Sequence, residues 1–331
     1  MFKAKKILVT GAGGFIGHHL VKTLKSKGYW VRGVDIKYPE YEASHADEYE
    51  LLDLRRSEDC LRATAGIEQV YNLAANMGGI GFIETHKAEI VHDNALINLH
   101  MLEAAKKNRL DKFLFTSSAC VYPAYRQNIA DAVPLKEEEV YPAEAEDGYG
   151  WEKLYAERAC RHYREDYGLK TYIVRFHNIY GPLGSFDGGR EKSPAAICRK
   201  IALADDVGEI EVWGDGEQTR SYCYIDDCVE GITRLMASAY HEPLNLGQDR
   251  MITINELVAL VATIAGKKIT KRYAPTMPQG VRGRNSDNTK LRAVLGWEPQ
   301  TQLEKGLEKT YKWIESELVG AGHVRERVLC A

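Results

Sequence analysis

Three features predict an α/β chain built on a doubly wound parallel sheet, with a smaller α/β lobe beside it for a second ligand. Short apolar runs alternate with amphipathic helical stretches through the first half. The first run, Ile7-Leu8-Val9-Thr10, breaks into Gly11-Ala12-Gly13-Gly14-Phe15-Ile16-Gly17 and then into a helix. The second, Trp30 to Asp35, ends in an acid about twenty residues beyond those glycines.

Strand, glycine turn and helix form the opening of a Rossmann dinucleotide site. Gly11, Gly14 and Gly17, spaced G-x-x-G-x-x-G with the additional Gly13, let the backbone and the helix N-terminus approach a pyrophosphate. Phe15 and Ile16 share that turn, Leu20, Val21 and Leu24 form the apolar side of the helix, and Gly28 ends it. A carboxylate at Asp35 accepts hydrogen bonds from adenosine ribose hydroxyls and repels a 2′-phosphate, so NAD is expected rather than NADP. Asp53 follows a third short strand and meets the adenine edge or caps the next helix; spacing leaves both open.

Gln69 to Ala75 reads as a fourth strand, and Asn76-Met77-Gly78-Gly79-Ile80-Gly81 as a flexible turn that touches nicotinamide or substrate. A helix from about Ile90 to Lys107 follows, with Leu96, Leu99 and Leu102 on its apolar side. Its Asn94 and Asn98 are expected to bond to neighbouring strands. Lys112 to Pro123 is the fifth strand with its exit. On an extended segment Ser118 and Cys120, two apart, point the same way. A serine hydroxyl there can bond a substrate oxygen. Cys120 is either a small buried residue or, with a suitable pKa, a group that moves protons.

Tyr149 and Lys153 are four apart at the start of a helix, which puts them on one face. A neighbouring ammonium favours the phenolate and is expected to lower a pKa normally near ~10, making the phenol an acid/base. Lys170 to Phe176 is a further strand. Composition then shifts to glycine and charge over residues 184–194, a loop expected to close over a ligand, and a helix follows. On its own, Lys192 in that loop reads as a solvated charge. Arg282 and Arg284 occupy another polar loop; two arginine-bearing loops, this one and the one ending in Arg220, clamp a diphosphate, or these arginines pair at the surface. A tail helix from Leu303 to Leu318 carries Leu307, Tyr311 and Trp313, and the last dozen residues are polar.

The expected division gives residues 1–177, with crossing segments near 220–245, to the dinucleotide domain and the remaining segments of 178–331 to the second. The 331 residues are 44% hydrophobic and 27% charged, ordinary for a globular protein in water. A net charge of -3 with no basic stripe argues against nucleic acid. Seven cysteines without C-x-x-C suggest reduced thiols rather than a disulfide framework or metal site. Met1 to Lys6 runs into a strand without an apolar signal region, and no run approaches the ~20 apolar residues of a membrane span. A cytoplasmic protein without a membrane partner is expected.

Together these residues resemble the extended short-chain dehydrogenase/reductase family of nucleotide-sugar epimerases and dehydratases. The likeness runs through T-G-x-x-G-x-x-G, the acid after strand two, S-S-A, Y-x-x-x-K, R-F-x-N-x-Y-G-P and G-D-G-x-x-x-R, nearly the whole chain. It implies that Ser118, Tyr149 and Lys153 oxidise a sugar C4 hydroxyl with NAD. S-S-A-C-V-Y-P with G-G-R-E-K-S-P-A-A is similar to the branch that inverts C3 and C5 of GDP-mannose. In that branch the Cys and the Lys of R-E-K, here Cys120 and Lys192, are the paired acid/base groups. The same likeness implies that Gly78, Asn178, Glu191, Lys200, Gln218, Arg220 and Arg284 line the GDP-sugar site. It also implies GDP-L-galactose as product, GDP-L-gulose from C5 inversion alone, and a homodimer through the helices near 90–107 and 150–166.

Two positions depart from the family pattern: Asn76 stands where Asp is expected before M-G-G, and Gly148 where Ala is usual before Tyr. Three other functions stay open. A C4 epimerase needs the triad but neither Cys120 nor Lys192; a 4,6-dehydratase carries Glu at the Cys120 position; a non-catalytic NAD-binding scaffold needs no triad at all.

Overall fold

The computed structural model describes residues 4–322; Met1 to Lys3, Cys330 and the polar tail beyond 322, all read above from sequence, lie outside the described residues. The first half alternates strands and helices as β1 (Lys6–Thr10), α1 (Phe15–Ser26), β2 (Trp30–Asp35), β3 (Glu48–Leu51), α2 (Ser57–Thr64), β4 (Gln69–Asn72), α3 (Ile80–Thr85), α4 (Lys87–Lys107), β5 (Lys112–Ser118), α5 (Asp147–Tyr167) and β6 (Lys170–Phe176). The second half runs through β7 (Ile179–Tyr180), α6 (Ser193–Leu203), β8 (Val207–Trp213), β9 (Thr219–Ser221), β10 (Cys223–Tyr224), α7 (Ile225–Ala237) and β11 (Leu244–Leu246). It finishes with β12 (Met251–Thr253), α8 (Ile254–Ala265), β13 (Lys268–Ala274), β14 (Gly283–Arg284), α9 (Thr289–Leu295) and α10 (Leu303–Gly320).

The main sheet has seven strands in the order β11-β6-β5-β4-β1-β2-β3. Every pairing in it is parallel. Its central strands are apolar on both faces because helices cover both: β4 is buried at every position, while edge strand β3 is not. Strand order reverses between β1 and β4, which opens a crevice beyond their carboxyl ends. The smaller lobe is made of the parallel ribbon β8–β13, the three-stranded sheet β12-β9-β14, and helices α6, α8 and α10 packed on one another. The chain crosses back between them, through α7 to β11 at the edge of the main sheet.

Two local readings change. The turn expected over residues 76–81 becomes helical from Ile80, because Gly79 starts α3 and the long helix α4 follows directly from Lys87. Strand β5 ends at Ser118, so Cys120 does not lie on an extended segment; the Ser118 side chain accepts a hydrogen bond from the Cys120 amide and turns residues 119–121 into a single 3-10 turn. Cys120 thus reaches the crevice through a turn rather than by strand alternation.

Helix α5 begins against that turn. Glu146 N donates to Cys120 O at 2.9 Å, and a Cβ placed on Gly150 would lie 2.3 Å from the same carbonyl. Only glycine lets the helix seat this close. Gly150→Ala is expected to cost about 1–3 kcal/mol through overpacking and to displace Cys120. Denaturant unfolding and turnover measure the two effects, and an unchanged midpoint with full activity would contradict the contact. Gly148 is explained in the same way: a Cβ there would meet Val91 Cγ2 at 2.7 Å and Lys87 O at 3.1 Å, so its absence lets α5 close on α4.

Candidate active site

A cavity of about 1120 Å³ fills the crevice and extends under the smaller lobe. On the dinucleotide side it is bordered by Gly11, Gly14, Phe15, Ile16, Gly17, Asp35 and Asp53. Ser118, Cys120, Tyr149 and Lys153 border it from β5 and α5, and Gly78, Asn178, Glu191, Lys192, Lys200, Gln218, Arg220 and Arg284 complete it. Arg282 does not reach it. That arginine pairs with Asp215 at 2.7 Å on the outside, so of its loop's two arginines Arg284 borders the cavity, as Arg220 does from the other arginine-bearing loop.

The residues present fit a dinucleotide. A Cβ on Gly17 would lie 2.0 Å from Gly11 O, and one on Gly13 would lie 2.5 Å from Lys37 O, so only glycine lets the turn fold this tightly and seat α1 against it. Helix α1 has no capping side chain and no acid in its first turn, which leaves its positive end to an anion. Asp35 is oriented by the turn itself, accepting from Gly13 N at 2.9 Å and Ile36 N at 2.7 Å; burial pushes its pKa up while these bonds oppose the shift. Asp53 is held by Arg55, whose Nε and Nη2 lie 2.9 and 2.8 Å from its oxygens, and Arg55 also reaches Asp93. The helix-cap alternative for Asp53 does not match the geometry, since α2 starts at Ser57 with Arg56 flanking it.

Tyr149 and Lys153 are both buried, and Lys153 Nζ lies 5.6 Å from the Tyr149 ring centroid and 4.9 Å from that of Phe115. The Tyr149 pKa moves opposite to the expected direction. Burial pushes it well up, the Cys120 and Glu152 charges add to this, and the Ser118 hydrogen bond alone opposes. Behind the pair, Glu152 accepts from Asn98 Nδ2 at 2.6 Å, and Asn98 in turn accepts from Asn72 of β4 at 3.1 Å. Asn94 holds the Asn76 backbone, accepting from its amide at 2.6 Å. Asn98 thus bonds a neighbouring strand as expected, while Asn94 bonds the turn beyond β4 instead.

Cys120 and Lys192 both border the cavity, and a charge on Cys120 acts on the lysine across it. Lys192 is exposed to the cavity yet surrounded by protein, and this enclosure lowers its pKa. Enclosure raises that of Cys120, helped by Glu146 and opposed by Arg284. The lowering brings the lysine nearer neutrality, while the raised thiol is held in its neutral form.

Around the far end, Asn178 Nδ2 donates to Ser221 O at 2.9 Å, Lys200 Nζ to Glu211 O at 2.8 Å, and Arg220 to the carbonyls of Thr219 and Gln279. Gln218 bonds Trp213 O through Nε2, while its buried Oε1 and Glu191 Oε2 have no protein partner, which leaves two acceptors for a ligand. Burial and Arg284 bring the Arg220 pKa down to about 10.

The glycine-rich loop does close on the cavity. Gly79 N donates to Arg190 O at 3.0 Å; the Arg190 guanidinium lies 3.8 Å from the Phe82 ring centroid and bonds Asn76 Oδ1 and Met77 O. Asn76 also donates to Glu89 and Asp93. Aspartate there would face two carboxylates, so the amide fits this departure from the family pattern.

Three residues escaped sequence reasoning. Arg190 locks the loop. Glu146 pairs with Arg284 at 2.5 Å, and buried Gln127 accepts from Arg284 Nε at 2.6 Å. Arg284 Nη1 lies 3.6 Å from Cys120 Sγ. Its guanidinium is thus committed beside the thiol, which neither the clamp nor the surface reading anticipated.

A dinucleotide cradle, a Ser/Tyr/Lys group and a second lobe over one cavity define an enzyme that works on an alcohol with a nicotinamide cofactor. Comparison places it further. The chain belongs to the NAD dependent epimerase/dehydratase family, whose model matches residues 7–247. It is 47% identical to GDP-mannose 3,5-epimerase of Arabidopsis thaliana over 95% of this chain and 83% of that one. It is 46% identical to GDP-mannose 3,5-epimerase 1 of Oryza sativa subsp. japonica over 95% and 82%. Among solved structures, UDP-glucose 4-epimerase of Thermotoga maritima with UDP-glucose superposes with a TM-score of 0.86 at 30% identity, covering 95% of this chain and 99% of that one. The protein is an NAD-dependent epimerase.

Proposed function

We propose that this protein inverts GDP-mannose at C3 and C5, giving GDP-L-galactose, with GDP-L-gulose from inversion at C5 alone. The observation that carries the reading is the presence of Cys120 and Lys192 on the same cavity as Ser118, Tyr149 and Lys153. NAD, when bound, supplies a reversible hydride acceptor beside the sugar. Tyr149, hydrogen-bonded by Ser118, takes the C4 hydroxyl proton as that carbon is oxidised and returns it at the end. A ring C–H beside an ordinary alcohol is far too weak an acid for any side chain. A transient C4 ketone acidifies both neighbouring hydrogens, because each carbanion delocalises as an enolate. Cys120 and Lys192, working from opposite faces, then remove a proton on one side and deliver one on the other. Gln218, Glu191, Lys200, Arg220 and Asn178 are assigned to the GDP-sugar, and Asp35 to the adenosine ribose.

The test is incubation with GDP-mannose and identification of the products by NMR. GDP-L-galactose and GDP-L-gulose support the reading; the C4 epimer as product would instead favour the activity named for the Thermotoga relative, and leave Cys120 and Lys192 structural.

The working form is a homodimer joined through α4 and α5, in keeping with Val91, Trp151 and Tyr155 exposed on those helices. Trp151→Glu with Tyr155→Glu is expected to halve the mass in sedimentation, and a monomeric parent protein would contradict the pairing. The six described cysteines are free thiols, which suits a reducing cytoplasm.

A further inference from the structure

Double inversion makes a demand on protons that a single inversion does not. On a D-mannopyranose ring the C3 and C5 hydrogens stand axial on the same face. Each inversion therefore loads a proton onto the group at that face and strips one from the group opposite. After the first, one of Cys120 and Lys192 holds a proton too many and the other one too few. The second inversion has the same sense and cannot begin until both are reset. Lys192 is exposed to the cavity and can trade protons with solvent directly. Cys120 is more enclosed, so the question is which neighbour carries its proton.

Arg284 lies 3.6 Å from the thiol but cannot serve, because a guanidinium does not deprotonate in this range. Ser118 Oγ accepts from the Cys120 amide and its hydroxyl also lies against the thiol, but a serine hydroxyl neither gains nor loses a proton in this range and cannot store one. Glu146 remains. Its amide is anchored on Cys120 O at 2.9 Å, and its Oε2 lies 2.5 Å from Arg284 Nη2. The same guanidinium thereby holds carboxylate and thiol side by side, itself fixed through Nε by buried Gln127. Arg284 keeps the Glu146 carboxylate ionised against its burial, as a charged acceptor that shares one guanidinium with the Cys120 sulfur. The Glu146 side chain is 16% exposed and borders the cavity.

Resting on the double-epimerase reading, we infer that Glu146 is the proton relay that resets Cys120 between the two inversions. In one direction the S–H bond breaks as an O–H bond forms on the carboxylate, and that proton then passes to cavity water. The reverse sequence protonates the thiolate. The carboxylate ends as it began and no electrons change hands. Cys120 is the catalytic residue and Glu146 acts through it.

The experiment uses the full chain with GDP-mannose in D₂O and reads deuterium at C3 relative to C5 in the products. Glu146→Gln keeps the size of the side chain but cannot carry a proton, so the C3:C5 ratio is expected to fall at least about tenfold as the single-inversion product accumulates. Glu146→Asp, which draws the carboxylate back from the sulfur, is expected to lower the ratio less, in the same direction, and supplies the reading where the Gln variant does not fold. The ratio is taken within one reaction, so a loss of folded protein or overall rate does not move it. A ratio unchanged in both variants overturns the relay. So does a Gln variant that is folded by circular dichroism yet labels neither carbon, since Glu146 would then be needed before the first inversion. A parent protein that labels neither carbon is a separate outcome and removes the double-epimerase reading itself.

Discussion

Lys192→Ala is expected to stop inversion at both carbons, lowering product formation by about 10²–10⁴-fold, while GDP-mannose still binds. Lys192 stands exposed on the cavity wall as the N-cap of α6 and makes no capping bond through its side chain, so its removal opens no void in the core. Enclosure lowers its pKa, which suits the proposed role, since an ammonium in free water holds its proton near neutrality and leaves almost no free base. Calorimetric titration with GDP-mannose checks binding and product analysis checks inversion. Full epimerisation by the variant would refute the role.

Tyr149→Phe is expected to be as severe, about 10²–10⁴-fold, and to differ in kind. Without the phenol the C4 hydroxyl keeps its proton, no ketone forms, and the C3 and C5 hydrogens never become acidic. Exchange of both hydrogens with solvent must therefore vanish along with product, even though Cys120 and Lys192 are intact. Because burial holds the Tyr149 phenol protonated in the protein alone, its pKa is expected to fall when the positively charged cofactor joins it. Ultraviolet titration of tyrosinate with and without NAD follows this shift. Retained C3 or C5 exchange in Tyr149→Phe would contradict the order of steps.

What the sequence disclosed follows the range over which each signal acts. The glycine turn, Asp35 and the Tyr149/Lys153 pair are local patterns, each fixed by a few residues of strand or helix geometry, and all fall on the cavity. The direction of the Tyr149 pKa was not legible, because burial comes from strands and helices distant in sequence and outweighs a neighbour one turn away. Arg282 and Arg284 look equivalent in a polar loop, but β14 begins at Gly283. One arginine therefore stays outside on Asp215 while the next is drawn under the lobe to Glu146 and Gln127. Those partners stand 138 and 157 residues away, and no spacing rule reaches that far. Cys120 and Lys192 were legible only through the resemblance of their surrounding motifs; taken singly, each reads as an ordinary thiol or surface charge.

The most direct measurement is GDP-mannose turned over by the parent protein in D₂O, with the products examined by mass and proton NMR. Deuterium is expected at both C3 and C5, since both hydrogens must leave and be replaced from solvent-exchanged groups. Turnover with no deuterium in the ring would contradict it, because hydride transfer at C4 alone exchanges nothing with water.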